Sequence, residues 1–203
     1  MSHVCSKSFL HLRQLRRVRS SLDSDSASTL VHAFVTTRVD YCNAVLAGAT
    51  KATTGRLQRV LNAAARVVSN TRKLNDPGLQ NLMHIDLHWL DVLERVTYKL
   101  SVMVDHCLHG TAPKFLSELC TLVADVASRR QLRFASQNVQ LVPRHKLSGL
   151  GRRAFRVAGP LVWNSIADCL RDPAFELASF KRQLKTFFFA RYRHNVWSAL
   201  EML

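Results

Sequence analysis

Residues 87–119 carry the clearest hydrophobic rhythm in the chain. Leu90, Leu93, Val96, Leu100, Val104 and Cys107 recur at steps of three and four. On an α-helix that spacing lines them along one side and leaves Asp91, Glu94, Arg95, Lys99 and Asp105 mostly on the others. Gly110 is the predicted stop, and Pro113 opens a following helix because a first-turn residue has no intrahelical N–H bond to lose. The stretch predicts a helical hairpin on which the rest of the chain packs.

Upstream, Phe9, Leu12, Leu15 and Val18 recur every three residues across 7–18, which predicts a short amphipathic helix with an arginine-rich outer face. Ser24 or Asp25 is the expected cap of a second helix, with Ala27, Leu30, Val31, Phe34, Val35, Tyr41, Cys42, Val45 and Leu46 on its apolar face and Gly48 at its end. A third helix is predicted over about 54–69, with Leu57, Val60, Leu61, Ala64, Val67 and Val68 inward and Arg56, Arg59 and Arg66 outward. Asp76-Pro77 reads as the cap and first turn of a short helix that ends near His84.

Beyond residue 122 the texture changes. The run 138–142 is β-compatible and Pro143 stops it, while the two glycines in 148–151 predict a turn. Pro160 is expected to begin a short helix, and a last helix is predicted over about 176–193. Leu177, Phe180, Leu184, Phe187 and Phe188 face inward there, with Lys181, Arg182, Lys185, Arg191 and Arg193 outward. The predicted fold is mainly α, a bundle of helices and hairpins with one or two short β-strands in the C-terminal third. By composition the chain divides into 1–122, a basic loop and short-strand segment 123–159, and C-terminal helices in 160–203.

Charge sharpens this picture. The chain has 29 Lys and Arg against 14 Asp and Glu, a formal net charge of +15 over 203 residues. Such a surplus repels itself unless a polyanion neutralises it, so nucleic acid is the expected partner, with an acidic protein or a merely solvated basic surface as the alternatives. No acidic residue falls between Asp125 and Asp168. No apolar run reaches the roughly 20 residues of a membrane span. An intracellular chain, nuclear or cytoplasmic, is therefore expected, although the Arg-rich first twenty residues also have the composition of a transit peptide. The cysteines at 5, 42, 107, 120 and 169 are odd in number and contain no C-x-x-C pair, so they are expected to be reduced.

Candidate chemistry is sparse. His84 and His88, and the group His106, Cys107 and His109, lack the further ligands that a zinc site requires. Glycine-rich phosphate loops and nucleophile elbows are absent. Asp23 and Asp25 suit helix capping better than catalysis. No cofactor, metal or catalytic residue is expected. Trp163, near Arg152, Arg153 and Arg156, could stack on bases, but amid Leu and Val it is better read as a packing anchor, and so is Trp89.

Several segments, in order, carry a resemblance: HLRQLRRVRSSL, ASTLVHAFVTTRVDYCNAVL, LQRVLNAAARVV, LHWLDVLERVTYKL, LHGTAPKFLSEL, VPR, GRRAFRVAGPLVWNSI and SFKRQLKTFFF. Together they resemble the region downstream of the polymerase core in reverse transcriptases of non-LTR retrotransposons, the long interspersed, jockey-like elements. Asp91 departs from that pattern, where the family usually has Pro, and so does Ile166-Ala167, where it has Leu-Pro. The resemblance implies a thumb and post-thumb region, with 1–122 thumb-like, and no palm. The palm's metal-binding Asp and aromatic-x-Asp-Asp motif have no counterpart, so no catalytic residue is carried over and no enzymatic activity is implied.

The expected function is thus that of a non-catalytic fragment of an RNA-directed DNA polymerase. It would bind RNA or DNA weakly and without sequence preference, through Arg13, Arg16, Arg17, Arg56, Arg59, Arg152 and Arg153. The alternative is a helical interaction module, with no nucleic-acid role, that binds another protein or itself through exposed apolar surface.

Overall fold

The structure, a computed structural model, describes residues 2–71, 78–126, 138–145, 151–172 and 174–200, with side chains through Tyr192. It is mainly α. The helices are α1 (Ser2–Val18), α2 (Ser24–Val31), α3 (Thr37–Asp40), α4 (Lys51–Val68), α5 (Leu79–Asn81), α6 (Val92–Leu108), α7 (Lys114–Ser117), α8 (Phe155–Ser165) and α9 (Leu177–Leu200). A wide π turn, His32–Thr36, joins α2 to α3, and a second, Leu82–Asp86, follows α5. The chain forms two compact units, residues 1–43 with 49–95, and residues 44–48 with 96–203. These follow packing, whereas the partition at 122 and 159 follows composition.

In the first unit Leu12, Val31, Val35, Leu57, Leu61, Ala64 and Met83 are buried. Helix ends are tied by side chains from elsewhere in the chain. The Arg19 guanidinium donates to the carbonyl oxygens of Val67 at 2.8 Å and Val68 at 2.7 Å, satisfying orphan acceptors at the negative end of α4. Asn70, at φ +58°, then closes that helix with Thr71 N–H on the Arg66 carbonyl at 3.1 Å. Gln58 of α4 caps α6 by accepting from Val92 N–H at 2.9 Å and donating to Asp91 Oδ1 at 2.7 Å. Arg95 donates to Asp40 Oδ2 at 2.7 Å and to the Leu90 carbonyl at 2.7 Å.

Several expected details are corrected. α1 starts at Ser2, and its buried line is Cys5, Ser8, Leu12 and Leu15, which turns Phe9 and Val18 outward. The cap of α2 is Asp23, whose carboxylate accepts from Ser26 N–H at 3.0 Å; the Ser26 side chain and then that bond hold its pKa below the usual carboxylate range. α3 ends at Asp40, before Gly48, leaving Phe34, Tyr41 and Val45 exposed. The Asp76-Pro77 cap lies outside the described residues. Val92 replaces Leu93 on the buried line of α6: Leu93 is 58% exposed, and Trp89 is half-buried.

In the second unit α6 carries Val96, Leu100, Val104 and Cys107 inward and ends at Gly110, φ +67°. The second arm of the expected hairpin is a single turn, α7, with Pro113 as its cap. Among the described residues the expected strands reduce to one antiparallel bridge between Leu122 and Gln140, flanked by Val123 N–H to Val139 O at 2.9 Å and Leu141 N–H to Thr121 O at 2.7 Å. Pro160 lies inside α8 instead of at its start. Packing overrides the lost backbone bond, since Val157, Ala158, Gly159 and Pro160 are all buried. A Cβ on Gly159 would lie 3.1 Å from Val104 Cγ2, so glycine permits the close approach of α8 to α6. Trp163 packs against Phe180 with ring centroids 5.8 Å apart, beside buried Leu184 and Phe188 of α9. No described helix is long and apolar enough to cross a membrane.

Candidate nucleic-acid interface

The two stretches of sequence that supply α1 and α4 lack carboxylates altogether. No Asp or Glu occurs in 1–22 or in 41–75, while Lys7, Arg13, Arg16, Arg17 and Arg19 fall in the first and Lys51, Arg56, Arg59 and Arg66 in the second. The helices made from them, α1 and α4, lie side by side. They run in the same direction: Ser2, Cys5, Ser6 and Phe9 share a cleft of about 280 Å³ with Arg56 and Arg59, and Arg19, just past α1, bonds the carbonyls at the end of α4. Two adjacent helices without acids therefore carry exposed arginines, and Arg56 and Arg59 stand beside the first turns of α1.

Arg13, Arg16, Arg17, Arg56 and Arg59 are all exposed there. Phe9, Arg13 and Arg16 stand four and three residues apart, so they stack along one flank of α1. Arg56 and Arg59 occupy adjacent turns of α4. Phe9, 42% exposed, puts an aromatic edge on the rim of the arginine-lined cleft, the pairing of cation and ring that suits a phosphate and its neighbouring base. Phe34 stacks on His11 with centroids 5.5 Å apart and is also exposed.

The remaining two candidates, Arg152 and Arg153, belong to the second unit and are exposed on a 3-10 turn, Gly151–Arg153. Arg152 lies beside Gly48, where an added Cβ would sit 3.5 Å from its own. The fold thus groups five of the seven arginines in one unit and two in the other. Trp163 is a core anchor: it is buried, and its Nε1 donates to the Asn138 carbonyl at 2.9 Å.

Sequence reasoning overlooked two features of this interface. Phe9 is expected inward from a strict three-residue step, but each such step drifts about 60° around an α-helix, so Phe9, Leu12, Leu15 and Val18 cannot share one face, and the alternating steps of three and four through Cys5, Ser8, Leu12 and Leu15 put Phe9 on the rim. The absence of acids from 41–75 was visible as plainly as that from 1–22. Arg19, by contrast, is a structural clamp on α4.

Two of the histidines weighed as metal ligands, His84 and His106, have local partners. His84 is buried, with Nδ1 2.8 Å from the Trp89 carbonyl and Nε2 2.7 Å from Gln80 Oε1, and His106 Nδ1 is 2.7 Å from Thr111 Oγ1. Burial pushes the Asp91 carboxyl up, while His84, Gln58 and Arg95 pull it down. No three His, Cys, Asp or Glu side chains converge as a metal site among the described residues. A scan against protein-family models and searches of curated proteins and of solved structures find no match to this chain.

Proposed function

We propose that this chain is a non-catalytic nucleic-acid-binding module, a thumb and post-thumb region of non-LTR retrotransposon reverse transcriptase type without its palm. Its role is to hold phosphates by charge, and it performs no bond chemistry. The observation that supports this reading is the pairing of acid-free α1 with acid-free α4, which brings their exposed arginines into one unit with no carboxylate on either helix to neutralise them. A duplex or single strand laid there releases its counterions, so affinity depends on salt and little on sequence.

The test is the double variant Arg56→Glu, Arg59→Glu, followed by fluorescence anisotropy with unrelated RNA and DNA oligonucleotides. The native chain is expected to bind with Kd of roughly 10⁻⁴–10⁻⁶ M at physiological salt, with a log–log salt slope of about −0.9 per phosphate contacted on duplex DNA. The double variant weakens every oligonucleotide alike and flattens the slope. Equal binding by variant and native chain would defeat the proposal. The alternative, a protein-binding module, has support in exposed Ile85, Leu93 and Phe115 and predicts association indifferent to salt.

A further inference from the structure

The cleft beside the first turns of α1 has a feature that charge alone does not explain. Its volume is about 280 Å³, and Ser2, Cys5, Ser6 and Phe9 of α1 line it together with Arg56 and Arg59 of α4. Cys5 is buried, while the other five are exposed. Among the described residues neither guanidinium has a carboxylate partner, and Phe9 has no ring partner. Two open cationic forks and one bare aromatic ring therefore share a concave surface.

A polyanion held by charge alone needs only the arginines. Phe9, 42% exposed beside them, keeps apolar surface in water that a flat partner would cover. A nucleotide brings both complements: a phosphate for the planar guanidinium forks and a base whose π face stacks on an aromatic ring. In a closed duplex the interior bases are stacked on both faces, and a side chain meets such a face only when the base leaves the stack. An unpaired nucleotide offers phosphate and face together. The Ser2 and Ser6 hydroxyls, four residues apart on α1, add donors for phosphate or sugar oxygens. The cleft is close to the lower end of the range of about 300–1,000 Å³ for small-molecule pockets, a size for one nucleotide rather than for a base pair.

We propose that this cleft is the subsite for one unpaired nucleotide, with Arg56 and Arg59 on its phosphate and Phe9 against its base, so that the chain prefers single strands to closed duplex. The inference rests on the nucleic-acid-binding function proposed for α1 and α4 and names the class of strand they take. Every base has a π face, so the preference is for strandedness and not for sequence. It runs against electrostatics, since the duplex carries the denser charge and arginines alone would favour it.

The test is fluorescence anisotropy of the full chain with three probes at one salt concentration: a mixed-sequence DNA single strand, the same sequence closed as a blunt duplex, and an abasic strand of equal length. The native chain is expected to bind the single strand most tightly, a comparison that needs no variant. Phe9→Ala should weaken the single strand roughly tenfold, the loss of one stacked base, and the other two probes much less. Phe9→Tyr keeps the ring and should keep the preference. Arg56→Glu with Arg59→Glu should weaken all three. Phe9 is a surface position, so the helical circular-dichroism signal should be unchanged in its variants. A native chain that binds the abasic strand or the duplex as tightly as the single strand overturns the subsite, and so does a Phe9→Ala that weakens all probes alike or none. The charge-based function survives either result as long as the arginine variant still weakens binding. Failure of the native chain to bind any probe overturns both. Displacement of the single strand by polyglutamate as readily as by unlabelled strand also overturns the subsite and makes an acidic protein the partner.

Discussion

Along α1 and α4 the first unit keeps its cations at the surface, with Arg13, Arg16, Arg17, Arg56 and Arg59 exposed and no carboxylate on either helix. The second unit draws charge inward, with Arg171 and Asp105 only 4% and 2% exposed. Exposed like charges cost little folding energy and remain available to a polyanion. Buried charges must be held by specific partners, and their removal or neutralisation changes stability. The same residue type therefore stands in two settings here: Arg56 and Arg59 of α4 are exposed, as the proposed function requires, and Arg171 after α8 is part of the fold.

Arg171→Ala should break that contrast most visibly. It strips the donors from two carbonyls and removes a buried stem, so a loss of about 3–5 kcal/mol is expected, at about 1–3 kcal/mol per orphaned acceptor plus lost packing. Urea unfolding followed by Trp163 fluorescence measures it. Leu100→Ala, at a fully packed position of α6, should cost about 2–5 kcal/mol. Arg59→Ala should lie within about 0.5 kcal/mol of the native chain, as surface substitutions generally do. If Arg59→Ala destabilises as much as Arg171→Ala, the division between surface and interior charge is wrong.

The helices were legible wherever a regular spacing met a clear end. The buried line of α4 contains every residue its periodicity names, from Leu57 through Val68, and adds Ala65. α9 is read as well at Phe180, Leu184 and Phe188. Register failed at helix starts, where no cap residue marks the first turn. Phe9 and Leu93 were both assigned inward from patterns that fit neighbouring registers nearly as well. Pro160 misled for a different reason, because burial of the whole 157–160 stretch outweighs one missing backbone hydrogen bond. For the interface, outward arginines could be read from the sequence, but the pairing of α1 with α4 could not, since it depends on contacts between residues far apart in the chain. Asp105 is hidden altogether, because one step from Val104 its position falls off the apolar stripe of α6.

Asp105→Asn carries a small expected effect on stability whose size depends on pH, unlike that of Arg59→Ala. Burial raises the carboxyl's pKa in the folded protein, with His109, His106 and Lys181 only partly opposing it. Between the ordinary carboxylate value and that raised one, the folded chain holds a proton that the unfolded chain has released. Stability from this group is therefore full below the unfolded pKa, falls as pH rises through the folded pKa, and stays flat above it. Asn keeps an acceptor for His109 without the charge, so the variant should melt slightly higher than the native chain at pH 7, and the gap should close as pH falls toward 3. Arg59→Ala, tested across the same range, should show no such convergence. Thermal melts at matched ionic strength check both variants. A native chain that is more stable than Asp105→Asn at neutral pH would mean that the carboxylate is held by favourable partners that outweigh its burial.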